Sequence, residues 1–139
     1  MKLSSVLSEL ATKLATVMGD DWKSYPTAQR ARQAKHTPMV FIRNVRVQHN
    51  YTHGYHGVSC EAVFVASGHD TEDADDVLDS VLSTDDATGK APALGAVTSD
   101  TGQWTGEVAA NTGQVIDELV LGQNSYRAAS LTLELLCAS

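Results

Sequence analysis

No stretch of this 139-residue chain stays apolar for the roughly 20 residues that a helix needs to cross a bilayer. Cysteine is scarce. Cys60 and Cys137 lie far apart, without CxxC spacing and in apolar strand-like patterns, so both read as small reduced core residues. Aromatics make up 6% of the chain and charged residues only 19%, which points to polar, uncharged surface being used for contacts. The net charge of −7 argues against general nucleic-acid binding, which normally needs a basic domain. The first helix pattern starts at Lys2 and is broken by Ser, Glu, Thr and Lys. A cytoplasmic chain without a signal peptide is therefore expected.

The most informative absence is local. Between Trp22 and Cys60 there is no carboxylate at all. That window holds six of the ten Lys/Arg (Lys23, Arg30, Arg32, Lys35, Arg43, Arg46) and four of the five histidines. The acids gather elsewhere, most densely from Asp70 to Asp79. A small domain divided in this way can recognise an acidic surface, and a second copy of itself offers one.

Sequence periodicity predicts one α+β domain over residues 1–139, with a mostly antiparallel or mixed sheet and two main helices packed on one face. Leu3, Val6, Leu7, Leu10, Leu14 and Val17 form one stripe on a first helix, with Ser4 or Ser5 as its cap and Gly19 as an αL stop. Ala28 to His36 fits either a short helix or an extended arm. Pro38 opens a strand in which Met39, Phe41, Val45 and Val47 alternate with more polar positions, and a second strand follows from Val58 to Ser67. Asn50 to Gly57 reads as the hairpin loop between them. A second helix starts near Asp70, its acids complementing the exposed N–H groups of its first turn. Ser83 to Gly113 carries only short strand signals, near Leu94–Thr98 and Trp104–Val108. Val115–Leu121 and Tyr126–Cys137 close the chain as strands, the latter with Ala129, Leu131, Leu133, Leu135 and Cys137 on one face.

Catalytic and cofactor motifs are missing. There is no G-x-S-x-G elbow, no H-E-x-x-H pair and no phosphate-cradling glycine loop, so no catalytic residue and no cofactor is expected. His49, His53 and His56 are numerous enough for a catalytic zinc site. Gly54 and Gly57 place them on a hairpin tip, however, where Tyr51 and Tyr55 suit contact with another protein better than metal. The Asp70–Asp79 run fails the calcium-loop template. Trp22 and Trp104 fit core edges or interface anchors equally well. The residues singled out for an interface are Arg30, Arg32, Lys35, Tyr51, His53, Tyr55, Asp73 and Asp76.

The order of these patterns resembles a known family. An amphipathic helix leads through Trp22-Lys23-Ser24-Tyr25-Pro26 to the strand Thr37-Pro38-Met39-Val40-Phe41-Ile42, and later to Asp70-Thr71-Glu72-Asp73-Ala74-Asp75-Asp76-Val77-Leu78. Gly122, Tyr126, Ala128, Ala129, Leu131, Leu133 and Leu135 close the chain. This is similar to the tail terminator, or tail completion, proteins of long-tailed bacteriophages. The resemblance implies a homohexameric ring on the head-proximal end of the tail, assembled in the host cytoplasm and retained in the virion. Such a ring ends polymerisation of the tail tube protein and offers the surface that joins the head–tail connector. DNA passes through its lumen without sequence recognition. A head–tail connector or adaptor ring is the alternative, and a small His-based metal-binding or hydrolytic domain a more distant one.

Overall fold

The computed structural model describes residues 1–34, 38–66, 71–83, 89–122 and 124–138. Its frame is one five-stranded mixed sheet with four helices, in the order α1 (Leu3–Met18), β1 (Lys23–Tyr25), α2 (Ala28–Ala34), β2 (Met39–Thr52), β3 (Tyr55–Val65), α3 (Thr71–Leu82), α4 (Ala91–Leu94), β4 (Ala109–Leu121) and β5 (Asn124–Ala138). The strands lie in the order β1-β2-β3-β5-β4. Among the described strands β1 and β2 run parallel and the other neighbours antiparallel, β2–β3 and β4–β5 as hairpins and β3–β5 through the longer connection that holds α3, α4 and β4.

Each face of the sheet has its own core. Val6, Leu10 and Leu14 of α1 share one cluster with Val40, Ile42, Cys60, Phe64, Leu133 and Leu135, and Leu78 and Val81 of α3 belong to it. Met39, Phe41, Val63, Val65 and Leu119 form a second cluster with Ala31 of α2. The alternation read in β5 is found: Ala129, Leu131, Leu133, Leu135 and Cys137 all enter the first cluster. Trp104 is 3% exposed and belongs to that core, while Trp22 sits half-buried with its ring edge-on to Phe64, centroids 6.3 Å apart. Cys60 and Cys137 are free and buried. Burial, with Cys137 nearby, pushes the Cys60 thiol up to about 12, so it stays protonated and unreactive.

Several local expectations are corrected. In β2, Met39 and Phe41 do not share a face with Val45 and Val47; the latter pair packs against the opposite cluster. A bulge between Arg43 and Arg46 adds one residue, and Asn44 absorbs the turn at φ 54°. Glu61, opposite on β3, holds it in place by accepting from Arg43 Nε and Nη2 at 3.0 and 2.7 Å and from Asn44 Nδ2 at 3.0 Å. The hairpin loop is shorter than expected, because the strands run on to Thr52 and resume at Tyr55. Gly54 takes the left-handed position there, at φ 80°.

α1 starts without a side-chain cap from either serine, its cap position being Lys2. At the other end Gly19 adopts φ 143°, ψ 170° and not αL. Lys90 Nζ supplies the stop, donating to the carbonyls of Val17 and Met18 at 3.2 and 2.7 Å. Leu94 lies in the one-turn helix α4, not in a strand, and the second expected short strand contributes a single bridge, Thr98 with Glu107. β4 begins six residues before Val115.

The segment from Ser99 to Gln103 is tied to α1 through one side chain. Glu9 accepts hydrogen bonds from Ser99 Oγ, Thr101 Oγ1, the Asp100 N–H and Gln103 Nε2. Burial pushes its carboxyl up, but these donors together bring it below the ordinary glutamate value. A lowered carboxylate stabilises the fold above the unfolded value, and that contribution disappears as pH falls through the folded one. Glu9→Ala should cost on the order of 1–2 kcal/mol at pH 7, a figure reduced for the partial exposure of the site. Urea unfolding of both proteins should show the difference shrinking on acidification through the carboxylate range; a gap that persists there excludes this role.

Candidate functional site

The basic and acidic residues singled out from the sequence belong to opposite ends of the sheet. β1 is one free edge, and α2 packs beside it on β1 and β2. Thr27 Oγ1 caps α2 by accepting from the Arg30 N–H at 3.2 Å; Arg30 is exposed on the first turn of α2, and Lys23 is exposed on β1. Arg32 lies in α2. Lys35 falls outside the described residues.

α3 packs mainly on β5, and also reaches β3 and β4. Asp75, Asp76 and Asp79 are exposed on it, and β4 adds exposed Asp117 and Glu118. Arg127 of β5 pairs with Asp75, and its Nε lies 3.8 Å from Asp117. Among the described residues no ion pair engages Asp76, Asp79 or Glu118. Asp73 is in the first turn of α3. Four strand spacings separate β1 from β4, about 19 Å at ~4.8 Å per strand, and α2 and α3 pack on opposite faces of the sheet. At physiological salt the screening length is about 8 Å, so the basic and acidic patches do not neutralise each other within one chain.

The aromatic hairpin tip is a third, separate place. Tyr51 is 57% exposed, His53 is exposed at the turn and Tyr55 is half-buried. The Tyr51 ring covers Gly57 so closely that a Cβ there would lie 3.2 Å from Tyr51 Cγ. The His49 and His56 rings meet edge to face with centroids 5.2 Å apart. Among the described residues no group of three or more His, Cys, Asp or Glu is placed to hold a metal ion. Tyr51 also borders a groove of about 580 Å³, with Gln48, Thr105, Glu134 and Leu136 among its walls. Sequence reasoning missed this groove and a second one, of about 590 Å³, between α3, α4 and β4. Both are built from residues far apart in the chain, so no local pattern announces them.

The interface candidates are thus not one site but three: a basic edge, an aromatic tip and an acidic edge. No family model and no curated protein sequence matches the chain.

Proposed function

We propose that the chain is a structural ring protein of a phage tail, closing the head-proximal end of the tail tube and offering the surface to which the head joins. One observation carries this reading: charge of opposite sign sits at the two opposite edges of a single sheet. Surfaces that complement each other but lie on different sides of a subunit associate head to tail, and such contacts close into rings when the rotation allows. A two-fold dimer would instead need one patch that complements itself. We also take α1 and α3 to cover the same face of the sheet, a reading supported by the core cluster they share.

In this reading Lys23, Arg30 and Arg32 of one copy meet Asp76, Asp79 and Glu118 of the next. The role is mechanical and not catalytic, and the net charge of −7 suits a channel that repels DNA and keeps it mobile. The Arg30→Glu, Arg32→Glu double variant should form a ring at least tenfold more weakly, and rising salt should weaken the unmodified ring. Native mass measurement, with and without tail tube protein, checks both. A sixfold mass unaffected by salt and by this charge reversal overturns the electrostatic account, and a twelvefold mass favours a connector ring instead.

A further inference from the structure

The hairpin of β2 and β3 brings two imidazoles together. Alternation beyond Val45 and Val47 puts His49 on the α1 side of the sheet, and alternation beyond Cys60 and Val58 puts His56 on that side too. The two are neighbours across the strand pair, next in the register that joins Val47 to Val58 and Gln48 to Gly57. Their ring centroids lie 5.2 Å apart and their ring planes 83° apart. His49 is exposed and His56 half-buried, so ions in solution reach both. His53 is exposed at the turn and forms no three-ligand group with them.

Two imidazoles bound to one tetrahedral ion have ring centres about 5 Å apart when each nitrogen lies ~2.0–2.1 Å from the metal. The square-planar geometry of copper(II) would bring them to about 4.5 Å. The observed 5.2 Å matches the tetrahedral case. Aiming one nitrogen of each ring at a shared point takes rotation about χ2, a broad torsion in histidine and cheap to turn. The second nitrogen of each ring keeps a hydrogen bond, as in most metal-bound histidines. Cys137 is opposite His56 in the register of β5 but fully buried, and among the described residues no third His, Cys, Asp or Glu completes a set. Water fills the remaining positions.

We infer that His49 and His56 form a zinc site that clips β2 to β3 just below the hairpin tip. The backbone gives the clip its purpose. Between Gln48 and Thr52 the β2–β3 ladder shifts register, so regular pairing lapses where the two histidines stand. An ion held by one side chain from each strand joins them at that point. Imidazole nitrogen and a tetrahedral preference select zinc among the common divalent ions, whereas calcium and magnesium call for oxygen ligands. The site goes beyond the ring reading and does not rest on it.

Titrating tag-free protein with zinc chloride at neutral pH in a calorimeter tests this. Binding should saturate at one ion per chain, and zinc should raise the melting temperature, as a ligand held only by the folded state does. His49→Gln and His56→Gln should each weaken binding at least tenfold and cancel the melting shift, with circular dichroism unchanged. His53→Gln should alter the affinity less than twofold. Amides of Tyr51 and Tyr55 should exchange at least tenfold more slowly once zinc is bound. Equal losses from all three histidines mean diffuse binding and overturn the proposal, as does the absence of saturable binding. Half an ion per chain with a doubled mass means that two copies share the metal, which overturns a clip within one chain. Each of these failures leaves the ring reading standing, since that reading is tested by salt and by charge reversal on α2.

Discussion

Replacing Phe64 by Ala should lower the unfolding free energy by about 3–5 kcal/mol, the range for emptying an aromatic site in a packed core. Phe64 is fully buried, and its direct cross-strand partners are Val40 on β2 and Ala129 on β5. Ala129 is too small to fill the space, and Val40 is fixed by β-branching and by its own place in the cluster. Trp22 touches the ring edge-on from the α1–β1 connection, so the loss also loosens the link between α1 and the sheet. The change should appear as a lower urea midpoint with an unchanged slope. Phe64→Leu should recover more than half of the loss. A cost for Phe64→Ala below about 1 kcal/mol would mean that this core collapses around the gap.

Gly113→Val should cost about 1–3 kcal/mol through overpacking. A Cβ at Gly113 would lie 2.6 Å from Leu82 Cδ2, closer than real side chains approach. Leu82 is the last residue of α3 and only partly buried, so it yields by rotating away from the cluster it packs against. Its departure gives up contact that helps fasten α3 to β4. If that steric conflict is the cause, Leu82→Ala in the same chain restores part of the stability, with a favourable coupling of 0.5 kcal/mol or more in the double-mutant cycle. Purely additive effects would assign the cost to the backbone of β4 instead.

Periodicity made the central elements legible. The stripe from Leu3 to Val17 gave α1, and strict alternation gave the inward face of β5, because both elements bury one side and expose the other. β4 was only half legible. From Ala109 to Val115 it is exposed throughout, so nothing in its side chains alternates, and its pairing with β5 is a matter of backbone alone. α4 and the Thr98–Glu107 bridge are fixed by distant partners, among them the Lys90 contact with α1. The charge asymmetry was visible as composition, but its placement at opposite edges depends on strand order, which no local window contains. The hairpin tip was found as a His/Tyr cluster, whereas its groove needed Thr105 and Glu134 from elsewhere.

The bulge at Asn44 has a consequence for how this chain tolerates length changes. Before it, the first core takes the even positions Val40 and Ile42; after it, the odd positions Val45 and Val47. The extra residue thus works as a phase shift of half a strand period. Deleting Asn44 would remove the extra residue and let plain alternation keep Val45 and Val47 toward the apolar cluster, with Arg43 still opposite Glu61 and Arg46 opposite Ser59. Deleting Asn44 and Val45 together would turn Arg46 toward the cluster and Val47 away from it. A single deletion at the bulge should therefore be tolerated far better than a double one, whereas elsewhere in the strand a single deletion exchanges the two faces.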